Sequence, residues 1–244
     1  MKKKILFLDF DGVLFDTLKE VYLVNRCLFS GIDLFGDVDN KNYQLYSKYK
    51  FLVYNIWMFY YYNPILFGGV KEEEIIEKYS SALQNRDLEA EKEFCDEFLK
   101  IRADLVKNNY DFWNSLETPY DFFFGIKKLY EEENANMVVV SKKNKTAIVQ
   151  RFQAYGFNLP QENVFAREVL DRYSTKGEFM NEYMLQNGYS EAIFVDDNNN
   201  NLKTCDNYPN IKQILALWGN AQPNLKGYSQ VEALDEIKNY FISK

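Results

Sequence analysis

The sequence predicts an α/β protein with a Rossmann-like parallel sheet core and an inserted α-helical cap domain. Short apolar runs alternate with longer amphipathic segments, as in an open sheet covered by helices on both faces. One long stretch, residues 18–117, breaks this alternation because it shows helical periods and no clear buried strand. We therefore predict a core domain of residues 1–17 and 118–244, with residues 18–117 forming the helical insert.

Four apolar runs have the length and composition of strands that are buried on both faces of a parallel sheet. They are residues 5–8, 137–140, 192–195 and 214–217. Amphipathic segments of helical length lie between and after these runs. The segment 118–133 is predicted to be a helix, with Thr118 as its N-cap and Pro119 at the first helical position.

The insert contains two segments with clear helical periodicity, residues 72–83 and 88–107. In the second segment, apolar residues at spacings of three and four share one predicted helix face: Phe94, Phe98, Ile101 and Leu105. Residues 51–62 are almost wholly apolar or aromatic but too few to span a bilayer, which favours a buried or partner-facing helix. We interpret the aromatic side chains from Trp57 to Tyr62 as packing in a core or an oligomer contact rather than as the lining of a substrate pocket.

Composition excludes several classes of site. The chain of 244 residues contains no histidine, so it cannot form a Ser-His-Asp triad or a histidine zinc site, and carboxylates are the natural acids and bases. The net charge of −7 argues against nucleic-acid and anionic-membrane partners. Three distant cysteines, and only four apolar residues between the N-terminal lysines and Asp9, favour a cytoplasmic protein without a secretory signal.

Polar residues with useful chemistry directly follow three of the predicted strands. Asp9 follows the first strand, Ser141 the second, and Asp196 and Asp197 the third. The carboxyl ends of parallel strands converge on the crevice where open α/β sheets bind ligands. We therefore expect these distant residues to share one site.

These residues carry a family resemblance. Segment 9–17, DFDGVLFDT, closely resembles the first motif of the haloacid dehalogenase-like hydrolase superfamily, in which a strand ends in Asp-x-Asp-Gly. Ser141 resembles the second motif, Lys176 the third, and Asp196 with Asp197 the fourth. The insert matches only by position, since it resembles the helical cap that such enzymes carry after the first motif.

The resemblance implies a Mg²⁺-dependent phosphatase that hydrolyses a small-molecule phosphate monoester through an aspartyl-phosphate. Asp9 is the implied nucleophile, and Asp11 the acid and then the base. The implied Mg²⁺ ligands are Asp9, the Asp11 carbonyl, Asp197 and, directly or through water, Asp196. The implied phosphate-binding groups are Ser141, Lys176, amides near Gly12, and the backbone at Lys142. Sugar phosphates and amino-alcohol phosphates are the candidate substrates.

Two positions depart from the family pattern. An acidic residue often follows the fourth motif where this chain has Asn201, and Asn often follows the second-motif serine where this chain has Lys142. A backbone amide serves at the second position whatever the side chain. Lys142, Lys143 and Lys145 together suggest either a second anion site or a solvated helix start, and we favour the solvated helix start.

Other functions stay open at this point. A phosphomutase or a phosphonate-cleaving enzyme of the same superfamily uses the same core, whereas a dehalogenase is disfavoured because such relatives lack the aspartate present here as Asp11. A catalytically inactive binding module is disfavoured because it has no physical reason to keep several mutually repelling carboxylates. The sequence does not identify the substrate or the oligomeric state.

Overall fold

The computed structural model describes residues 3–35 and 38–242. The chain divides into two compact units. The sheet unit comprises the residues up to Asp16 and those from Thr118 onward, and the helical unit comprises Thr17–Glu117.

The described residues contain the following elements. The strands are β1 (Lys4–Leu8), β2 (Phe15–Asp16), β3 (Thr118–Pro119), β4 (Met137–Val140), β5 (Val164–Phe165), β6 (Glu191–Asp196) and β7 (Ile211–Leu215). The α-helices are α1 (Leu18–Ser30), α2 (Asn40–Tyr49), α3 (Phe59–Phe67), α4 (Ile75–Ala82), α5 (Leu88–Asn108), α6 (Tyr110–Ser115), α7 (Asp121–Glu133), α8 (Lys145–Ala154), α9 (Arg167–Leu170), α10 (Lys176–Asn187), α11 (Asn199–Lys203) and α12 (Gln230–Ile242). Short 3₁₀ turns occur at Lys50–Leu52, Ile56–Met58, Glu72–Glu74 and Gln161–Asn163.

Five parallel strands form the sheet, in the order β5-β4-β1-β6-β7, which confirms the predicted fold class. Leu8 of the central strand β1 pairs with Val139 of β4 and with Val195 of β6. From β1 the chain builds outward to β4 and β5, then returns to form β6 and β7 on the other side. The strand order therefore reverses between β1 and β6, where open α/β sheets bind ligands.

Helices cover both faces of the sheet, so the side chains of each strand alternate between two cores. On β1, Leu6 and Leu8 pack with residues of α7, α8 and α12. Ile5 and Phe7 pack on the opposite face with residues of α10 and α11. This burial on both faces explains why the strands appear in the sequence as unbroken apolar runs.

An antiparallel ribbon of β2 and β3 lies where the chain leaves the sheet unit and where it returns, with Phe15 paired to Pro119. The predicted start of a helix at Thr118 is wrong, because Thr118 and Pro119 are extended and α7 begins at Asp121. Proline is tolerated in such a short edge strand, since it lacks only an N–H that the ribbon does not need. The Tyr120 N–H then donates to the Leu14 carbonyl at 3.0 Å, which continues the pairing.

The last strand lies earlier than residues 214–217, the range predicted for it. Strand β7 starts at Ile211, which pairs with Ala192. Lys212 is exposed and forms an ion pair with Glu236 of α12, so a polar residue interrupts the apolar pattern of this edge strand. Strand β5 was not predicted because its two residues are too short to give a recognisable run.

In the helical unit, α5 confirms the helix predicted for residues 88–107. Phe98 and Leu105 are buried, as the periodicity predicted. Arg102 on the same helix donates from Nε and Nη2 to the two carboxylate oxygens of Glu20 at 2.7 and 2.9 Å. Glu20 is fully buried on α1, so this bidentate pair fixes α5 to α1.

Residues 51–62 do not form one helix, contrary to the prediction. Extended backbone at Val53 and Asn55 separates two 3₁₀ turns, and α3 begins only at Phe59. The prediction of packing is confirmed for Phe59, Tyr61 and Tyr62, which are buried, whereas Trp57 and Tyr60 are half-buried. The predicted helix 72–83 similarly starts as a 3₁₀ turn before α4. Within the described part of the chain, every helix is too short or too polar to cross a bilayer.

Candidate active site

The carboxyl ends of β1, β4 and β6 bring the predicted polar residues to one edge of the sheet. Asp9 directly follows β1, Ser141 directly follows β4, and Asp196 ends β6 just before Asp197. The pairing of the three strands sets their ends at the same level, and the Asp9 N–H donates to the Val195 carbonyl at 3.0 Å. The site therefore lies where the strand order reverses.

Three buried carboxylates form the centre of this site. Asp9, Asp196 and Asp197 each offer an oxygen that lies within 4.8 Å of the other two. The ammonium of Lys176, the first residue of α10, lies 2.9 Å from Asp9 Oδ2 and 2.8 Å from Asp196 Oδ2. The lysine is itself buried, so its ammonium interacts with these carboxylates and not with the solvent.

Burial dominates the electrostatics of this centre. It raises the pKa of Asp9 to about 7, although the Lys176 ammonium acts in the opposite direction. Burial likewise raises the pKa of Asp196, again against the effect of Lys176. For Lys176, burial disfavours the charged form, but Asp196 and Asp9 outweigh it and hold its pKa above the ordinary value. The site as it stands holds more buried negative charge than this lysine balances.

Asp11 pairs with a lysine that sequence reasoning did not select. The Lys143 ammonium lies 3.1 Å from Asp11 Oδ1, and its side chain is only 2% exposed, whereas that of Asp11 is 34% exposed. The interpretation of this lysine cluster as a solvated helix start is therefore wrong for Lys143. Lys142 is exposed. The Lys143 N–H also donates to Ser141 Oγ at 3.3 Å, so the turn after β4 orients both residues.

Gly12 occupies a position that no other residue fits. Its φ is +79°, and a Cβ there would lie 1.9 Å from Asp197 Oδ2. That amides near Gly12 bind the phosphate stays a prediction, since the Gly12 N–H itself donates to the Phe15 carbonyl at 2.8 Å and only neighbouring amides are concerned. The structure thus gives Gly12 a steric role, which is to let the first loop approach Asp197.

Two asparagines also hold the carboxylates, and Asn220 was not predicted from the sequence. Asn201 Nδ2 donates to both Asp196 oxygens at 3.1 and 3.0 Å, so the amide at this departure from the family pattern orients Asp196. Asn220 donates to Asp197 from its backbone N–H and its side chain. No local sequence pattern marks Asn220, since it lies in a loop after the last strand.

No family model matches the chain, and no curated protein matches its sequence. Several solved structures match its fold. A haloacid dehalogenase-like family hydrolase from Streptococcus pneumoniae is 12% identical, with 96% of this chain and 98% of that chain covered and a TM-score of 0.54. A predicted phosphoglycolate phosphatase from Haemophilus somnus is 12% identical, with 98% and 99% covered and a TM-score of 0.60. A predicted phosphatase from Clostridium acetobutylicum is 14% identical, with 98% and 99% covered and a TM-score of 0.55. The chain therefore has, over nearly its whole length, the fold of the haloacid dehalogenase-like hydrolases.

Proposed function

We propose that the protein is a Mg²⁺-dependent phosphatase that hydrolyses a small-molecule phosphate monoester through an aspartyl-phosphate on Asp9. One observation carries the proposal. Asp9, Asp196 and Asp197 form a buried carboxylate cluster that Lys176 contacts, at the point of strand reversal in a sheet of this fold. Such a cluster is costly to fold unless cations enter it, which is a requirement of phosphoryl transfer and not of a structural core.

The donor set fits Mg²⁺, which prefers carboxylate and carbonyl oxygens and keeps some of its waters. Asp9, Asp197 and the Asp11 carbonyl are the proposed direct ligands. Each Asp196 oxygen already accepts two hydrogen bonds from protein groups, which occupies its lone pairs, so we assign Asp196 to indirect binding and to holding Lys176. When bound, Mg²⁺ supplies positive charge that offsets the repulsion between the Asp9 carboxylate and the phosphate dianion.

In the first half-reaction, an Asp9 carboxylate oxygen attacks phosphorus while the bond from phosphorus to the leaving oxygen breaks. Asp11 donates its proton to that oxygen, which leaves as an alcohol. Ser141 and Lys176 bind the transferring oxygens, together with the backbone amide at Lys142. Their contribution is electrostatic, because phosphoryl transfer depends mainly on positioning and charge stabilisation.

In the second half-reaction, Asp11 accepts a proton from water as the water oxygen attacks the phosphorus of the aspartyl-phosphate. The bond between phosphorus and Asp9 breaks, which releases inorganic phosphate and restores both carboxyl groups. Lys143 holds Asp11 in place through its contact at 3.1 Å. The same side chain therefore acts as acid and then as base from one fixed position.

The substrate class follows from the same proposal. We propose a soluble metabolite, with sugar phosphates and amino-alcohol phosphates as candidates, and the helical insert 18–117 as the cap domain that selects among them. One solved structure of this fold is described as a predicted phosphoglycolate phosphatase, so a small acid phosphate belongs in the same panel. The described cysteines are free, as suits the reducing cytoplasm in which we place the protein.

A phosphate-release screen with Mg²⁺ tests this proposal. The panel contains sugar, nucleotide, amino-alcohol and acyl phosphates and phosphoglycolate, with Asp9→Asn as the matched control. We expect turnover of at least one ester, loss of turnover with chelator, and no turnover by the variant. Release of phosphate by Asp9→Asn at the wild-type rate, or full activity in excess chelator, would contradict the assignment. Isomerisation of a sugar phosphate without phosphate release would favour a phosphomutase instead.

A further inference from the structure

One hydroxyl joins the helix that carries Lys176 to the helix that carries Asn201. Thr204 Oγ1 accepts a hydrogen bond from the Gly177 N–H at 3.0 Å and donates to the Asn201 carbonyl at 2.6 Å. Gly177 directly follows Lys176 in the first turn of α10, whereas Thr204 directly follows the last residue of α11. The hydroxyl therefore connects the start of α10 to α11.

The start of α10 lies directly against the backbone that ends α11. A Cβ on Gly177 would lie 2.1 Å from the Thr204 carbonyl oxygen, so this approach requires glycine. Gly177 is buried, and its N–H belongs to the first turn, where a helix provides no acceptor of its own. A buried N–H without an acceptor is costly, and the Thr204 hydroxyl meets this need. The bond and the close packing together fix α10 against α11.

Both helices hold the same ion pair of the candidate active site. From α11, Asn201 Nδ2 donates to both oxygens of Asp196. From α10, the Lys176 ammonium donates to Asp196 Oδ2 at 2.8 Å and lies 2.9 Å from Asp9 Oδ2. The position of α10 relative to α11 therefore sets where this ammonium lies between Asp196 and Asp9.

A second hydroxyl at the same helix start has a different geometry. Thr175 Oγ1 accepts from the Glu178 N–H at 3.1 Å, but Thr175 is exposed and is the N-cap of α10 itself. Such a local cap stabilises the first turn without fixing it against another helix. The Thr204 hydroxyl comes from outside α10 and supplies that second constraint.

We infer that Thr204 is a positioning residue for phosphoryl transfer, because its hydroxyl fixes the first turn of α10 against α11 and thereby places the Lys176 ammonium. The inference rests on the proposed function, in which Lys176 binds the transferring oxygens. Thr204 acts through Lys176 and is not a catalytic residue. A displaced ammonium stabilises less of the charge that develops on those oxygens in the transition state.

Steady-state hydrolysis of para-nitrophenyl phosphate with Mg²⁺ tests the inference on the full-length protein. Thr204→Val keeps the branched shape but removes the hydroxyl and with it both hydrogen bonds, whereas Thr204→Ser keeps the hydroxyl. We expect Thr204→Val to lower kcat about 10- to 100-fold, the range typical for loss of a group that orients an active site. KM should change little, because the lost interaction acts mainly in the transition state. Thr204→Ser should restore kcat to near the wild-type value.

A control variant separates positioning from stability. Ser229 Oγ accepts from the Glu232 N–H at 3.3 Å in the first turn of α12. Ser229→Ala therefore removes a comparable hydroxyl bond from a helix that carries none of the proposed site residues. Thermal unfolding of all the variants measures how much stability each one loses. We expect Ser229→Ala to lower the unfolding midpoint and to keep the wild-type kcat.

The outcomes distinguish this inference from the proposed function. A wild-type kcat in Thr204→Val, or a kcat in Thr204→Ser as low as in Thr204→Val, overturns the role of the hydroxyl and leaves the proposed function intact. An equal fall of kcat in Ser229→Ala overturns it too, since the loss then follows stability. A wild-type protein without Mg²⁺-dependent hydrolysis of this ester or of any ester in the panel contradicts the proposed function, and this inference with it. If Thr204→Val does not fold, Thr204→Ala removes the same hydroxyl with less bulk, and a wild-type kcat in that variant overturns the inference.

Discussion

The buried Asp9 carboxyl predicts a specific pH dependence of stability in the metal-free protein. Burial raises its pKa from 3.8 to about 7. Between these two values the folded protein retains a proton that the unfolded chain has already lost, so stability falls as pH rises through this window. At roughly 1.36 kcal/mol per pH unit, the full window corresponds to about 4 kcal/mol, which is a large fraction of the stability of a typical domain.

Urea unfolding in excess chelator measures this effect, with wild type and Asp9→Asn compared at pH values from 4 to 8. The variant cannot ionise at this position, so the difference between the two proteins reports the titration of Asp9 together with its effect on the neighbouring Lys176 and Asp196. We expect wild type to lose about 4 kcal/mol relative to the variant as pH rises. Asp235→Asn, which changes an exposed aspartate on α12, is the control for the substitution itself.

Excess Mg²⁺ should shrink that loss, because a bound cation favours the ionised carboxylate. A difference between wild type and Asp9→Asn that stays constant from pH 4 to 8 in chelator would refute the electrostatic account of the site. A wild-type protein that gains stability over the variant as pH rises would show that Lys176 outweighs burial, so that the pKa of Asp9 is lowered and not raised.

Three further predictions concern other parts of the molecule. In Asp11→Asn we expect phosphorylation by aryl phosphates to persist and phosphoenzyme to accumulate, whereas the rate of phosphorylation by alkyl phosphates falls by the ~10² to 10⁴ typical of general acid catalysis. Rapid quench with labelled phosphate measures both rates. Equal slowing of both esters without trapped phosphoenzyme would contradict the prediction. Gly12→Ala should destabilise the protein and weaken Mg²⁺ binding, since its Cβ meets Asp197. Gly31→Ala is the matched control for Gly12→Ala, because Gly31 also has positive φ but open space around its Cβ; equal thermal unfolding and Mg²⁺ titration curves would exclude a special role for Gly12. Replacing residues 18–117 with a short linker should preserve slow hydrolysis of small activated esters and erase the ranking of natural ones, and a folded deletion variant with unchanged ranking would show that the sheet unit determines specificity.

The sheet was predictable from sequence because of how its strands are buried. Central strands such as β1 lie between two cores and therefore show unbroken apolar runs. At the edges this signal fails, as exposed Lys212 in β7 and the two-residue β5 show. The misplaced start of α7 has a related cause, since long-range pairing of Pro119 with Phe15 overrides a local helix-start pattern.

The candidate site also contains residues that the sequence predicts and residues that it does not. Residues that directly follow central strands, such as Asp9 and Ser141, were selected because sheet topology places them without knowledge of side-chain packing. Lys143 and Asn220 were missed because their importance depends on where a turn and a loop direct their side chains. Lys143 follows an exposed lysine in the sequence, and no local pattern distinguishes the buried ammonium from the solvated one.

In the proposed mechanism, Lys143 supplies a positive charge beside Asp11. The negative charges of Asp9, Asp196, Asp197 and a phosphate dianion exceed the positive charges of Lys176 and one Mg²⁺ while Asp11 is protonated. The first half-reaction consumes the Asp11 proton and creates a further carboxylate in a partly buried place, which is unfavourable unless a cation already lies beside it. The Lys143 ammonium at 3.1 Å meets that need. It stabilises Asp11 in the charge state that links the two half-reactions, and the second half-reaction restores the proton. A buried lysine two residues after Ser141 thus favours the ionised Asp11 that acts as base in the second half-reaction, whereas a solvated lysine there would leave that charge without a close counter-ion.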